Sequence, residues 1–411
     1  MNRRMSNGTV VIVGASLAGG RAAEQLRRGG WAGRIVLVGE EPERPYDRPP
    51  LSKKFMRGQI EAQKLFFRAP DWYEAQKIEV LFGRRAVSLS TTAREVTLED
   101  GQQLAYEKLL IATGAAPRMP RIPGTHLEGV YPLRTMADGQ AIRAELAPGR
   151  RVVVIGAGVI GAEVAASCRD EGLEVVMLEA LDTPLVRAFG PEIGRLYGEI
   201  HRARGVDLRC GVTATELRGN TRVEEVLTSV GGRHACDFVV VGIGVEPCTA
   251  WLEGSGVRVD AGVLVDAHCE TNVPGVYAAG DVARGPSSKL GRHVIVESVD
   301  NAQTQGTTVV HNMLGKIEVH DTVPFFWSDQ FDLKLQSVGH VGPFDSVVYR
   351  GSVETPAFVA FHLLDGKLQF AIGVNRLKEI AAAKKLIAAD QTVSPIALAD
   401  EAVGLGTLLS P

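Results

Sequence analysis

The chain has 411 residues, of which 45% are hydrophobic and 23% are charged, and its formal net charge is -3. This length exceeds what one ordinary hydrophobic core organises and predicts two or three domains. The near-neutral charge gives no reason to expect nucleic acid or an anionic membrane as a partner. No apolar run approaches the length of a transmembrane helix, and the run at 10–13 is too short for the core of a secretion signal. We therefore expect a cytoplasmic protein that is a monomer or a weak homodimer.

The first part of the chain alternates strand-like runs with helical patterns. The run TVVIV at 9–13 is followed by a glycine-rich turn, by the helical pattern RAAEQLRR, and by the strand-like run RIVLVGE at 34–40. This β–α–β order requires a parallel sheet that is covered by helices. The same order returns between RVVVIG at 151–156 and EVVMLE at 174–179. The sequence therefore predicts a second unit of the same kind.

The later part of the chain indicates a return to the first domain and then a different architecture. FVVVGIG at 238–244 and GVYAAGD at 275–281 suggest strands of the first domain. Past about residue 320, alternating segments such as PFFWSDQFDLKLQSVG predict antiparallel strands, and EIAAAKKLIAA predicts a closing helix. We expect an α/β fold with two Rossmann-like dinucleotide-binding domains and a C-terminal α+β domain. The expected boundaries are 1–115 with 245–320, 116–244, and 321–411.

Two turns match the glycine pattern of dinucleotide-binding domains. GASLAGG at 14–20 and GAGVIGAE at 156–163 each join a strand to a helix. In such a turn the first glycine permits the bend, the second lets the backbone approach a pyrophosphate, and the third lets helix and strand pack. The second turn is complete, whereas Ser16 replaces the second glycine of the first turn. Because serine is small and its hydroxyl can donate to phosphate, both turns predict a bound dinucleotide.

An acidic residue follows the second strand of each unit and is suited to accept hydrogen bonds from ribose hydroxyls. These residues are Glu40 and Glu179. A carboxylate at Glu179 repels a 2′-phosphate and therefore favours NADH over NADPH. Arg187 leaves the other preference open, because an arginine nearby can serve a 2′-phosphate or lie on the surface as a solvated charge.

Further motifs narrow the interpretation. They are RPPLSKKF at 48–55, ATG at 112–114, AAGD at 278–281, ESVDNAQTQG at 297–306 and FFWSDQ at 325–330. Together with the two glycine turns, they resemble the FAD-dependent NADH:ferredoxin and rubredoxin reductases of the glutathione reductase superfamily. The resemblance extends from Val10 into the C-terminal region. It implies FAD in the first domain, NADH in the second, and electron transfer to a separate 2Fe–2S ferredoxin that serves a monooxygenase or a ring-hydroxylating dioxygenase.

The resemblance also implies roles for individual residues. Lys53 lies beside the flavin ring, Glu163 pairs with this lysine, and Trp327 forms an aromatic wall against the ring. The implied FAD contacts are Gly14, Ala15, Ser16, Ala18, Gly19, Glu40, Arg48, Lys53, Ala86, Ala112, Thr113, Gly114, Arg134, Gly280, Asp281, Glu297, Val299 and Trp327. The implied NAD contacts are Gly156, Gly158, Ile160, Gly161, Glu163, Glu179, Arg187 and Gly244. Hydride transfer to a flavin leaves an anionic ring, which a nearby ammonium stabilises.

The cysteines argue against a thiol relay and against a metal site. The five cysteines form no C-x-x-C pair and show no metal-like spacing with the nine histidines. Disulfide reductases of the superfamily relay electrons through a cysteine pair, but residues 40–67 contain no cysteine. Electrons are therefore expected to leave the flavin directly, which suits an iron–sulfur acceptor on another protein.

Two other functions stay open from the sequence. One is an NADH oxidase or peroxidase, although that class normally carries a redox cysteine near the flavin. The other is an NADH-sensing flavoprotein similar to apoptosis-inducing factor, since that group shares the RPPLSK pattern.

Overall fold

A computed structural model describes residues 8–409. The strands are β1 Val10–Val13, β2 Ile35–Gly39, β3 Ile78–Phe82, β4 Ala86–Ser90, β5 Glu95–Leu98, β6 Gln103–Ala105, β7 Lys108–Ile111, β8 Ala115–Pro117, β9 Val130–Pro132, β10 Arg151–Ile155, β11 Glu174–Glu179, β12 Val206–Cys210, β13 Ala214–Gly219, β14 Val223–Thr228, β15 Arg233–Ala235, β16 Phe238–Val241, β17 Val245–Pro247, β18 Val263–Leu264, β19 Val276–Ala278, β20 Ala283–Ser287, β21 Arg292–Val294, β22 Phe325–Gln330, β23 Leu333–Gly339, β24 Ser346–Ser352, β25 Ala357–Leu364 and β26 Lys367–Val374.

The helices connect these strands or cover them. The α-helices are α1 Leu17–Arg28, α2 Trp72–Ala75, α3 Met136–Glu145, α4 Val159–Asp170, α5 Val186–Ala203, α6 Val299–Met313, α7 Leu377–Ala389 and α8 Pro395–Ala399. Short 3-10 helices lie at Pro49–Ser52, Ala62–Lys64, Ala250–Leu252 and Leu405–Leu408. None of the helices between residues 8 and 409 combines the length and the apolar character needed to cross a lipid bilayer.

Contacts divide the chain into two compact units, and the first comprises residues 8–47, 66–116 and 246–326. Its five-stranded sheet has the order β19-β7-β1-β2-β3, and every pair is parallel. Side chains on alternate positions of β1 point to opposite faces, so Val10 and Ile12 join one core cluster and Val11 and Val13 join another. The first cluster includes α1 and α6, and the second includes the antiparallel strands β4, β5 and β6. Burial on both faces explains why β1 consists of apolar residues throughout.

The second unit comprises residues 48–65, 117–245 and 327–409, and it contains another parallel sheet. The strand order is β12-β11-β10-β16-β9. One face packs against the antiparallel strands β13 and β14 through a cluster that includes Val153, Leu217 and Val226. The prediction that FVVVGIG returns to the first domain is wrong, because β16 pairs in parallel with β10. The later run at β19 does join the first sheet.

The C-terminal sheet is antiparallel, with the order β22-β23-β26-β25-β24. Helix α7 packs against it through buried residues that include Ile380 and Leu386. Two parallel sheets with dinucleotide-type turns and a C-terminal antiparallel α+β part confirm the predicted fold class.

The contact units differ from the expected domain boundaries in two places. Residues 48–65, which the sequence assigns to the first domain, belong to the second unit. Phe55 is only 1% exposed, and the Arg143 guanidinium lies 6.0 Å from the centre of its ring. Arg57 donates to Asp170 at 2.8 Å and to Glu171 at 2.9 Å in the second unit. These interactions hold the segment to α3 and α4.

The second difference concerns the expected separate C-terminal domain at 321–411. Residues 327–409 form one contact unit with residues 117–245. Nε2 of His201 in α5 lies 2.8 Å from Oε1 of Gln330 in β22, and both side chains are buried. The Tyr349 hydroxyl donates to Glu192 at 2.7 Å. Buried and surface bonds of this kind join α5 to the antiparallel sheet.

The packing of residues 48–65 makes a stability prediction. We expect Phe55→Ala to lower the free energy of unfolding by about 3–5 kcal/mol, because a fully buried phenyl ring leaves a cavity. Phe344→Ala is the matched control, since Phe344 is 47% exposed, and we expect a loss of about 1 kcal/mol or less. Urea unfolding followed by circular dichroism measures both. Equal unfolding midpoints for the two variants would contradict the assigned packing.

Candidate functional site

The loops that carry the predicted FAD residues of the first unit follow the carboxyl ends of its parallel strands. The glycine turn follows β1, ATG at 112–114 follows β7, and residues 279–281 follow β19. Glu40 follows β2. In a parallel sheet these ends lie at the same edge, where open α/β folds bind their ligands.

The first glycine turn is closely packed against the ATG segment. Gly14 has a φ of 116°, and an added Cβ would stand 2.0 Å from the carbonyl oxygen of Ala112. Only glycine therefore fits at this position. Ser16 is the N-cap of α1 and makes no capping bond with its side chain, and the first turn of α1 holds no acidic residue. The positive end of this helix suits a phosphate group.

A second helix begins beside this turn. Ala18 of α1 and Ala302 of α6 belong to the same core cluster. The Gly280 N–H donates to Oε1 of Gln305 in α6 at 2.9 Å, which ties the AAGD segment and its Asp281 to this helix. Val299 is the first residue of α6. The cradle in the first unit therefore combines the N-terminus of α1 with backbone loops that suit the diphosphate of FAD, and α6 packs beside it.

Other predicted FAD residues of this unit lie in varied environments. Glu40 is exposed, and its Oε1 lies 4.0 Å from Nε of Arg85. Ala86 is buried in the core cluster that β4 forms against the sheet. Thr113 donates its hydroxyl to the Cys248 carbonyl at 2.9 Å, so this side chain also fixes the loop. Glu297 is exposed just before α6. Of the remaining predicted positions, Ala15, Ala112 and Gly114 lie in the two packed loops, and Gly19 lies in the first turn of α1.

The second unit repeats the turn with a more open second position. An added Cβ at Gly158 would meet only the Gly242 carbonyl oxygen, at 3.9 Å, so a ligand can approach the backbone closely. Gly156 and Gly161 complete the turn, and Ile160 is exposed in the first turn of α4. Gly244 follows β16 at the same edge of the sheet. Helix α4 has no side-chain cap and no acidic residue in its first turn. This edge fits a second dinucleotide.

The Glu179 carboxylate is fixed by the backbone of this edge. Its Oε2 accepts from the Ala157 N–H at 2.7 Å, and its Oε1 accepts from the Leu181 N–H at 2.9 Å. A carboxylate held at this place keeps a negative charge beside the glycine turn. Arg187 is exposed in the first turn of α5.

The predicted lysine and glutamate meet within the second unit. Nζ of Lys53 lies 2.9 Å from Oε1 of Glu163, whose side chain is 2% exposed. Lys53 follows the 3-10 helix Pro49–Ser52, and its Nζ also lies 3.4 Å from the Pro49 carbonyl oxygen. The neighbouring Arg48 donates to the carbonyl oxygen of Arg134 at 2.5 Å. The RPPLS segment thus directs Lys53 toward α4, which carries Glu163.

Two serines complete the environment of Glu163 and were missed by sequence reasoning. Ser52 donates to Oε2 at 2.5 Å, and Ser328 donates to Oε1 at 2.7 Å. Both serines lie in motifs that the sequence analysis quoted, so a polar residue beside Lys53 and Trp327 was an available signal. Burial raises the pKa of the Glu163 carboxyl above its usual range, and the Lys53 ammonium and the two hydroxyls offset part of that rise. Three donors converge on one carboxylate, so the arrangement stabilises the ionised form.

A cavity of about 420 Å³ opens beside this group of residues. Lys53 and Trp327 both line it, together with Arg57 and Phe331. The lysine and the tryptophan that the motifs single out therefore line the same cavity.

Comparisons with known proteins agree with this geometry. A family model described as pyridine nucleotide-disulphide oxidoreductase matches residues 8–306, and a reductase C-terminal model matches 325–409. The chain belongs to the pyridine nucleotide-disulphide oxidoreductase family. Putidaredoxin reductase from Pseudomonas putida is 36% identical over 98% of this chain and 97% of its own. The ferredoxin–NAD(+) reductase component of an anthranilate 1,2-dioxygenase system from Burkholderia cepacia is 38% identical over 98% and 100%.

Solved structures show the same relation. The reductase in a covalent putidaredoxin reductase–putidaredoxin complex has a TM-score of 0.95 and 36% identity, and the match covers 98% of both chains. The predicted resemblance to ferredoxin reductases within this oxidoreductase family is therefore confirmed.

The cysteines of this family member are poorly placed for thiol chemistry. All five are free. Burial raises the pKa of Cys168, Cys236 and Cys269 to about 12, which suppresses the reactive thiolate. Cys210 has a raised pKa for the same reason. Among residues 8–409, no group of histidine, cysteine and acidic side chains is arranged to hold a metal ion.

The Lys53–Glu163 pair makes a second stability prediction. We expect Lys53→Met to lower the free energy of unfolding by about 3–5 kcal/mol, because it leaves a buried carboxylate without its cation. The double variant Lys53→Met/Glu163→Gln removes both charges and is expected to recover most of that loss. Thermal unfolding of the three proteins at one pH provides the measurement. A double variant that is no more stable than Lys53→Met would show that the charge at Glu163 is not what the lysine compensates.

Proposed function

We propose that this protein is an NADH-dependent flavoprotein ferredoxin reductase. FAD, when bound, accepts a hydride from NADH and releases single electrons. The acceptor is a separate 2Fe–2S ferredoxin that serves a monooxygenase or a ring-hydroxylating dioxygenase. The observation that carries the proposal is the presence, in one chain, of two glycine-turn cradles and a buried lysine–glutamate pair, with no cysteine pair to relay electrons.

The first unit supplies the residues that hold FAD. The N-terminus of α1 binds the diphosphate, Glu40 accepts from the adenosine ribose, and Asp281 binds nearer the ribityl chain. These assignments are supported by the sheet edge at which the loops meet and by the absence of acidic residues in the first turn of α1.

The second unit supplies the residues that hold NADH. The N-terminus of α4 binds the diphosphate over Gly158, and Glu179 accepts from the adenosine ribose. Because two backbone N–H groups fix the Glu179 carboxylate, its charge cannot easily turn away from an incoming 2′-phosphate. This supports a preference for NADH.

Lys53 supplies positive charge to the reduced flavin, and Glu163 holds the lysine in place. Beside a bound flavin, the Lys53 ammonium would stabilise negative charge on the ring. The ion pair at 2.9 Å fixes the position of the Lys53 ammonium. Cysteines that form no disulfide bond are typical of a reducing compartment, which supports a cytoplasmic location.

The partner follows from what electrons can do in the absence of a thiol relay. Electrons that cannot pass to a cysteine pair must pass directly to an acceptor outside the chain. Two relatives are named as a reductase of putidaredoxin and as the ferredoxin reductase component of a dioxygenase system, and these names support a ferredoxin as the acceptor.

The electron acceptor is tested with the purified holoprotein. Under anaerobic conditions we expect NADH to bleach the flavin spectrum, and we expect added 2Fe–2S ferredoxin to stimulate cytochrome c reduction by at least about tenfold. Rapid peroxide formation in air without ferredoxin would instead indicate an oxidase. A long-lived complex of reduced flavoprotein and nicotinamide that is not reoxidised by ferredoxin would indicate an NADH sensor.

The cofactor preference is tested at Glu179. We expect Glu179→Gln to lower the ratio of kcat/KM for NADH over NADPH by about tenfold, because the variant no longer repels the 2′-phosphate. Glu174→Gln is the control, since Glu174 is an exposed residue at the opposite end of the same strand. An unchanged ratio in Glu179→Gln would remove this carboxylate from cofactor selection.

A further inference from the structure

A chain of buried polar side chains runs from Glu163 to helix α5. Ser328 and Gln330 are 0% and 1% exposed, and His201 is 0% exposed. Ser328 and Gln330 lie two positions apart in β22, so they share one face of the strand. His201 lies in the last turn of α5. The chain therefore links a helix of the parallel-sheet part to a strand of the antiparallel sheet.

The hydrogen bonds of this chain have one direction. Ser328 donates its hydroxyl to Glu163 Oε1 at 2.7 Å, and the Gln330 amide group donates to the Ser328 oxygen at 3.1 Å. The Gln330 carbonyl oxygen must then accept from Nε2 of His201, 2.8 Å away. Every proton points toward the carboxylate. The order requires a proton on Nε2 of His201.

The environment of His201 agrees with this order. Its Nδ1 is buried without a hydrogen-bond partner, which suits a bare lone pair better than an N–H group. Burial lowers the pKa of His201, so the ring stays neutral near pH 7. The charged neighbours lie outside the chain of bonds. Arg204 pairs with Asp332 at 2.5 Å. Asp329 lies close enough to Tyr197 for its negative charge to add to the effect of burial, which raises the pKa of the Tyr197 hydroxyl.

We propose that Ser328, Gln330 and His201 are positioning residues that hold Glu163 ionised and hold its Oε1 toward Lys53. This inference rests on the proposed function, in which Lys53 serves the flavin. A serine hydroxyl rotates freely unless a donor occupies its lone pairs. Gln330 is that donor, and His201 fixes which end of the Gln330 amide faces the serine. A hydrogen bond from a hydroxyl to a carboxylate is stronger than a hydrogen bond between two neutral groups.

Because this row of hydrogen bonds ends at Glu163, it affects the pH at which the Glu163 carboxylate gains a proton. Lys53 is the charged group that lies against Glu163, and the two serine hydroxyls are its other polar neighbours. Loss of a donor favours the protonated carboxyl and raises the pH below which Glu163 gains a proton. A protonated Glu163 no longer holds the ammonium. Variants of the chain should therefore move the acid limb of flavin reduction to higher pH.

The test uses the holoprotein and three variants of similar shape, Ser328→Ala, Gln330→Met and His201→Phe. The rate of flavin reduction by NADH is measured by stopped flow as a function of pH. We expect the rate on the acid limb to fall about tenfold in Ser328→Ala and about threefold in His201→Phe, with an intermediate value for Gln330→Met. Ser328→Thr, which keeps the hydroxyl, should restore the wild-type profile.

Two buried residues that take no part in this row of hydrogen bonds provide matched controls. Ser337 lies buried in the neighbouring strand β23, and His362 is buried with no partner on either ring nitrogen. Ser337→Ala and His362→Phe should leave the acid limb unmoved. The proposal fails if Ser328→Ala keeps the wild-type profile, or if the controls shift it equally.

A second measurement does not depend on the flavin. Nitrogen-15 spectra of ring-labelled histidine, assigned with His201→Phe, should show His201 as the neutral tautomer with its proton on Nε2 at pH 7. A neutral ring with its proton on Nδ1 would place a lone pair at Nε2, reverse the direction of the hydrogen bonds and overturn the proposal. A charged ring would also overturn it, because the proposed row of hydrogen bonds begins at a neutral imidazole. A protein that is not reduced by NADH would refute the proposed function instead, and the tautomer would still report the direction of the bonds.

Discussion

The burial of the Glu163 carboxylate is the constraint from which much of the second unit follows. A charge that is 2% exposed must be matched by donors. The donors come from two distant parts of the chain. Ser52 and its neighbour Lys53 precede Glu163, with Ser52 111 residues away, and Ser328 follows Glu163 by 165 residues. The segment 48–65 and strand β22 are therefore tied to α4 by the same requirement. This explains why residues 48–65 and residues 327–330 of β22 belong to one contact unit with the parallel sheet.

The two parallel sheets share the same arrangement of strand, glycine turn and helix, but the residues around the turn differ. Each places a glycine turn and the N-terminus of a helix at the carboxyl edge of the sheet, where backbone N–H groups suit a diphosphate. The first sheet adds the beginning of α6 and accepts Ser16 in the turn. The second keeps an open glycine, Gly158, and fixes Glu179 with two backbone bonds. The chain thus has two similar cradles whose differing edges suit two different dinucleotides.

Local patterns predicted what local interactions determine. The runs at β1 and β10, the glycine turns and the alternating C-terminal strands were evident from residue spacing, because burial and turn geometry act over a few residues. Contacts between distant segments were not evident. FVVVGIG was assigned to the first domain because an apolar strand carries no signal of which sheet it joins. The chain from Ser328 to His201 was missed for the same reason, although polar residues at alternate positions of FFWSDQ were a usable sign.

The central claim is that Glu163 is an ionised carboxylate inside the protein, held by Lys53 and two serines. Infrared difference spectroscopy between the wild-type protein and Glu163→Gln, with carbon-13-labelled glutamate, tests it most directly at neutral pH. The account predicts that the substitution removes the paired stretching bands of a carboxylate. Loss of the carbonyl band of a protonated carboxyl group would contradict it.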